Sequence, residues 1–453
     1  MKKFLALLLS VLLVASMMAG CASEQKQTTD TTQTADTPDT TDTVEDTQNE
    51  ETAETDSDAE QIELNYWSMW NEAEPQGAVI NEAVAAFEAE HPNVKINVNW
   101  MGRDIIKVIA TKLEAGEKID LYDSPVNTLL PVSKQYALDL TPYYEKDYPT
   151  TNGQPYQDVV LPAMTEVTKT YSNENEINAV SYAPFIQCMF YNKDQFADAG
   201  IEKLPETWEE FLDCCEKLKA AGYAPLTADD AYMVALPGMY LARAKGSDWV
   251  SKLVTENSDE MWRDPAVLEM AQAYADMAEK GYFEENTVSN IFPAGQQSLA
   301  NGQAAMYLNA SWVINELMPV TGEDFPWGQF NFPMVPNGEG NTNSANYGQN
   351  AMCITKSSEH PDEAFEFAVF LTTGEMDSKY AAATYSVPCG IDSEWPVQLT
   401  DAKDVFLSVD EWCPWSGGME DNADLIATIR TAFTELIGGQ LTPEEFVERM
   451  VAM

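Results

Sequence analysis

Four places in the sequence set aromatic side chains beside small polar ones. These are Trp67 and Trp70 with Asn71 and Glu72; Asn309 and Ser311 with Trp312; Asn346, Tyr347, Gln349 and Asn350; and Trp412 and Trp415 ahead of Gly417-Gly418. The chemistry such groups offer is recognition. A flat indole or phenol ring packs against the C–H face of a sugar, while Asn, Gln, Asp and Glu exchange hydrogen bonds with hydroxyls. Core packing is the ordinary role of any single aromatic. Several of these, however, lie in polar, glycine-containing turns at expected strand ends, where α/β folds gather their ligands.

Catalytic groupings are scarce by comparison. The two histidines, His91 and His360, each precede a proline and suit helix boundaries. There is no Gly-x-Ser-x-Gly, no His-Glu-x-x-His, no phosphate-binding glycine loop and no EF-hand spacing. Cys188, Cys214, Cys215, Cys353, Cys389 and Cys413 contain no Cys-x-x-Cys pair, so no zinc site is expected and neither a metal nor another cofactor is called for. They read mainly as buried free thiols, with one or two bridges left open. Carboxylates are so plentiful that composition alone leaves a glycoside-hydrolase pair open, though nothing singles out two of them.

Charge narrows the partners. The 453 residues carry 74 acidic and 25 basic side chains, a net of −49. Residues 22–60 hold 13 acidic residues, one lysine, twelve threonines and no aromatic, too little apolar surface to offset the entropy of ordering. Without that segment and Lys2-Lys3 the body still carries 61 acidic against 22 basic residues, so a nucleic acid is excluded as partner. The start reads as an export signal: Lys2-Lys3, an apolar stretch from Phe4 to Ala15, then Met18-Ala19-Gly20-Cys21. That last stretch resembles a bacterial lipobox, with Met18 where Leu is usual. It implies a leader over 1–20, lipidation of Cys21, and a tether over 21–60 holding the body off a membrane. No later run approaches the ~20 apolar residues of a membrane span.

The elements that would position the aromatics follow an α/β rhythm. Ile62, Leu64 and Tyr66 alternate as a strand; Ile80, Val84 and Phe87 line a helix; Val94, Ile96, Val98 and Trp100 alternate again. Strand–helix–strand at this spacing favours a parallel sheet. Helices follow over 105–115 and 129–137. At mid-chain, residues 185–191 form an aromatic-rich strand, Asn192-Lys193-Asp194 a turn, and Thr207-Trp208-Glu209-Glu210 a capping box opening a helix. That sequence of elements reads as entry into a second lobe, which 453 residues make the expected arrangement. Helices are further expected over 231–244, 265–280, 294–301, 361–371 and 443–450, with strands over 304–308 and 351–355 and a turn-rich loop over 336–346. The turn Asn309-Ala310-Ser311-Trp312 closes the first of those strands.

Taken in order, AFEAEHPNVKINV (86–98), DLYDSPVNTLLPVSKQYALDLTPYY (120–144), MFYNKDQFADAGIEKLPETWEEFLDCCEKLKAAGYAPL (189–226), LANGQAAMYLNASWV (299–313), ITKSSEHPDEAFEFAVFLT (354–372) and TPEEFVERM (442–450) resemble the family 1 extracellular solute-binding proteins, the sugar-binding lipoproteins of ABC importers. The resemblance spans residues 61–453. It implies a two-lobed, periplasmic-binding-protein-like (type II) α/β fold, with lobe 1 over 61–180 and 348–385 and lobe 2 over 185–345 and 390–453. Crossings are then expected near 180–185, near 346–349 and around Val387. It further implies a monomer that binds a sugar or oligosaccharide by hinge closure, delivers it to permease subunits, performs no catalysis, and sits outside the membrane of a Gram-positive-type bacterium. By position the implied ligand residues are Trp312 foremost, then Trp70, Asn71, Glu72, Asp123, Asn309, Ser311, Asn346, Tyr347, Gln349, Trp412 and Trp415. Ala310 stands where many relatives have Gly. Trp208 is assigned to packing. The rival readings are a peptide, polyamine or other cationic ligand in the same fold, and a surface glycoside hydrolase.

Overall fold

Apolar alternation sets the first layer of the protein. A computed structural model describes residues 61–452; the leader, the tether and Cys21 lie outside the described residues. Strand β1 (Ile62–Ser68) runs through helix α1 (Pro75–Glu90) to strand β2 (Val94–Trp100), and β3 (Leu121–Pro125) lies on the other side of β1. All three strands are parallel, with Leu64 opposite Ile96 and Tyr66 opposite both Val98 and Leu121. Pro75 opens α1, where its missing N–H costs nothing, and His91 closes it with its ring stacked on Phe87.

Helix α2 (Pro162–Tyr171) then precedes β4 (Val180–Asn192). Beyond it come α3 (Trp208–Ala220), β5 (Ala224–Thr227), α4 (Ala235–Lys245), β6 (Ala304–Ala310), α5 (Trp312–Thr321) and β7 (Trp327–Phe330). The chain continues through β8 (Ser344–Ala345), β9 (Tyr347–Ile354), α6 (Pro361–Thr372), α7 (Gly374–Thr384), α8 (Thr400–Ser408), β10 (Glu411–Trp412), α9 (Ala423–Ile437) and α10 (Pro443–Val451). The capping signals form as read. Asn192 accepts from the amides of Asp194 and Gln195, and Thr207 with Glu210 and Thr442 with Glu445 close reciprocal boxes.

One eight-stranded sheet carries both flanks, in the order β2-β1-β3-β9-β4-β6-β5 with β7 also on β4, and β8 and β10 pair as a separate two-stranded sheet. β4 has 13 residues and serves two partners in succession. Val180 to Ile186 pair antiparallel with β9, and Gln187 to Asn192 pair with β6 and β7. Between Tyr182 and Pro184 the register slips, and Ala183 takes φ 46°, a left-handed conformation that an L side chain rarely adopts. A third connection meets this point: the amide of Val387 donates to Pro184 O (3.0 Å).

Two apolar cores flank the crossing. One gathers Tyr66, Phe87, Tyr122, Phe365 and Phe367 around the parallel strands; the other gathers Trp208, Phe211, Tyr240, Trp262, Tyr274 and Phe433. Alternate residues of β4 divide between them. Cys188 and Phe190 join the first core, which continues through Val313, Ile314 and Trp327 to Phe406, while Met189 and Tyr191 join the second. Trp208 is buried against Phe211, Tyr240 and Tyr274, a packing role. The six cysteines within the described residues are free and buried. Sequence reading missed α2, α5, α7, α8 and α9. The Asn309–Trp312 segment is not a free turn, because Trp312 begins α5.

Candidate functional site

A cavity of about 1010 Å³ opens between the two flanks of the sheet at the crossing. Its floor on the β6 side is aromatic. Ser311 follows β6 and fixes the start of α5 by exchanging bonds with Ile186: its amide donates to Ile186 O (3.0 Å) and its hydroxyl accepts from Ile186 N (3.4 Å). Trp312 follows, half-buried, with its ring stacked on Trp415 at 5.4 Å and met edge-on by Phe185 at 4.7 Å. Tyr232 adds its edge to Trp415 at 6.2 Å.

The Trp415 turn is held by backbone that tolerates little change. Ser416, Gly417 and Gly418 all have positive φ, and α4 passes so close that a Cβ on Gly238 would stand 1.8 Å from Ser416 O. α4 itself is anchored by Arg243. This fully buried guanidinium donates to Phe332 O, Asn341 O, Asn331 Oδ1, and both Oγ and O of Ser344. Burial lowers its pKa to about 10. Those bonds set β8, hence β10 beside it and Trp412, whose indole N–H donates to Tyr347 O (2.8 Å).

The opposite wall is built from the end of β1. The Trp70 indole N–H donates to the Tyr182 hydroxyl (2.9 Å), and the Arg103 guanidinium lies 4.4 Å over its ring. Arg103 also donates to Met69 O (2.9 Å) and to Glu74 (2.8 Å). Burial pushes the Glu74 carboxyl upward, but bonds from Arg103 and the Asn71 amide outweigh it, so its pKa is lowered overall.

At the base, beside the crossing, two amide residues belong to the cavity lining. Asn346 donates through Nδ2 to Cys413 O (2.8 Å), and Gln349 through Nε2 to Met164 O (2.9 Å) and the Thr168 hydroxyl (2.6 Å). Their carbonyl oxygens, Asn346 Oδ1 and Gln349 Oε1, have no partner, although the residues are only 4% and 1% exposed. A buried acceptor left open in this way is costly unless something else bonds it.

Of the expected residues, Trp70, Ser311, Trp312, Asn346, Tyr347, Gln349, Trp412 and Trp415 line this one cavity. Asn71 and Glu72 do not: both are exposed, and the Asn71 amide and side chain cap Glu74 instead. Asp123 is corrected too. It lies wholly buried beneath β1, accepting from the Met69 amide (2.8 Å) and the Tyr66 hydroxyl, and burial raises its pKa to about 6. Asn309 is likewise buried, its Oδ1 accepting from the Ala310 amide (2.8 Å), because its place in β6 pairs it with Cys188 inside the sheet. Sequence reading missed Glu74, Arg103, Phe185, Tyr232, Glu316 and Glu420 as lining residues. Glu316 follows Trp312 by one helical turn, a signal available only once α5 is recognised. Among the described residues no cluster of His, Cys, Asp or Glu is placed to hold a metal, and no helix is long and apolar enough to cross a membrane.

The model of the bacterial extracellular solute-binding proteins matches residues 71–376, which include most of both flanks of the sheet and two of its crossings. The chain belongs to that family. This solute-binding protein is 23% identical to the multiple sugar-binding protein of Streptococcus mutans over 342 residues, 72% of this chain and 74% of that one. Among solved structures it is similar to the apo form of RafE from Streptococcus pneumoniae, with a TM-score of 0.68, 21% identity, and coverage of 87% and 97% of the two chains. A sugar transporter protein from Bacillus licheniformis, solved in complex with stachyose, gives a TM-score of 0.59 at 19% identity and coverage of 86% and 98%. The fold of this solute-binding protein is therefore the two-lobed one.

Proposed function

We propose that this protein captures a sugar or oligosaccharide in the cavity between its lobes and delivers it unchanged to the permease of an ABC importer. The observation that carries this reading is the aromatic floor of Trp312, Trp415, Phe185 and Tyr232, in a cavity whose lining also includes the amide residues Asn127, Asn315 and Asn350. Stacked rings suit the C–H face of a pyranose, and amide side chains exchange hydrogen bonds with its hydroxyls. The multiple sugar-binding protein of S. mutans and the stachyose complex of the B. licheniformis sugar transporter protein support a sugar.

In this reading the lobes comprise about 61–180 with 348–385, and 185–345 with 390–453. They turn about Ala183-Pro184, the start of β9 and the segment at Val387. Gln349 is bonded to α2 in lobe 1 and Asn346 to the β10 loop in lobe 2. A ligand packed against the lining that both residues help to form touches the hinge and each flank together, and so favours the closed arrangement. The chain acts as a monomer tethered through lipidated Cys21, outside the cytoplasm. A thermal-shift screen over neutral mono- to tetrasaccharides, polyamines and peptides tests the reading. A saccharide is expected to raise Tm according to RT ln(1 + [L]/Kd), whereas a shift only with polyamines or peptides refutes it.

A further inference from the structure

From the one-sided polar lining of the cleft we infer that its ligand is a saccharide without negative charge, and that an amine-bearing sugar is preferred to its neutral counterpart. This rests on the sugar reading above and narrows it. The charged residues lining the cavity are Glu74, Glu316, Glu420 and Asp421 against Arg103 alone. Arg103 is already engaged by Glu74, Met69 O and the Trp70 ring, which leaves Glu316, Glu420 and Asp421 with no free cation in the cavity lining, although Gln296 bonds Glu316 and Ser416 and Trp415 bond Glu420.

Each of the three has a traceable setting. Glu316 stands one turn beyond Trp312 on α5, with the Asp229 carboxylate, not a cation, as its charged neighbour. Glu420 accepts from the Ser416 hydroxyl (2.7 Å) through one oxygen, and Arg430 on α9 offsets it only from outside the lining. Asp421 accepts from the Ser251 hydroxyl (2.5 Å). Burial raises both Glu316 and Glu420, the direction an incoming cation would oppose.

The two open amides point the same way by an independent route. Asn346 Nδ2 and Gln349 Nε2 each face a backbone carbonyl, so flipping either amide would set oxygen against oxygen; the unpartnered atoms are therefore acceptors. Unpaired carbonyl dipoles beside the lining favour a cation over an anion there. A carboxylate or phosphate would meet them and like charge. Discrimination of this kind comes as much from the rejected ligand as from the favoured one.

The test is calorimetric titration of the mature protein with cellotriose, the β-1,4 glucosamine trimer and the β-1,4 glucuronate trimer, with raffinose and stachyose as further neutral sugars. The glucosamine trimer is expected to bind about threefold or more tighter than cellotriose at low salt, an advantage that shrinks as salt rises, and the glucuronate trimer is expected to show no binding. In Glu316→Gln and Glu420→Gln the ratio of amine to neutral affinity should fall toward one, read only where Tm shows a folded protein. Glucuronate binding as tight as cellotriose, or raffinose or stachyose binding with none of the glucosamine trimer, overturns this inference and leaves the sugar reading intact. Binding of no saccharide overturns both.

Discussion

Replacing Trp312 by alanine tests the aromatic floor most directly. The indole is half-buried at the first position of α5, stacked on Trp415 and met by the edge of Phe185. A pyranose face laid on it would remove on the order of 60 Å² of apolar surface from water, about 1.5 kcal/mol at 25 cal/mol per Å². Ring-geometry effects add roughly 0.5–1 kcal/mol. A loss of about 2 kcal/mol is about thirtyfold in Kd, and tenfold is a conservative floor. Because Trp415 also loses its stacking partner, Trp312→Phe should recover part of the affinity. The assay is calorimetry with the saccharide giving the largest thermal shift, alongside Tm and circular dichroism. A folded Trp312→Ala protein whose affinity stays within twofold of the parent would refute the reasoning.

Three further outcomes are expected. Asn192→Ala removes a side chain bonded to the amides of Asp194 and Gln195, and should cost about 1 kcal/mol of stability in urea unfolding while leaving sugar affinity unchanged. Asp123 is raised by burial to about 6, so the folded state holds a proton that the unfolded chain has lost between about pH 4 and 6. Its contribution to stability is present below that window and falls as pH rises through it. The Tm advantage of the parent over Asp123→Asn should accordingly be larger at pH 4.5 than at pH 7.5, and a constant gap would contradict this. Gly238→Ala puts a methyl 1.8 Å from Ser416 O, which must move the Trp415 turn. Tm and sugar affinity should both fall, the latter by about fivefold or more, the loss of one stacked contact.

The fold was legible where local chemistry and packing agree. β1 and β2 alternate in sequence, and the caps at Asn192, Thr207 and Thr442 are stated by short motifs. α5 escaped because it begins without a side-chain cap and carries Pro319, both of which argue locally against a helix that tertiary packing nonetheless supports. The site divides in the same way. Tryptophans in polar turns, with Asn346 and Gln349, were readable as a set. Asp123 was misplaced because a strand-end carboxylate looks the same in sequence whether it faces ligand or lies under the strand. Its bond to the Met69 amide depends on a pairing of β1 with β3 that no local pattern records. Arg103 escaped for a related reason: its partner Glu74 is distant in sequence, and only the fold brings it to Trp70.

The continuity of the eight-stranded sheet has a consequence for how the chain can be made. β3 lies between β1 and β9, and Leu121 meets Ile354, a residue that emerges far later from a ribosome or export channel. Until then the finished β2-β1-β3 unit presents a bare strand edge. The first half of β4 must also wait for β9 to reach it. Pairings so distant in the chain are slow to close, and an open edge invites other strands. The N-terminal half therefore cannot mature while the rest of the chain is still being synthesised or threaded. Truncation before β9 should yield an aggregating fragment and not a stable lobe, and a holding chaperone would act most usefully in that interval.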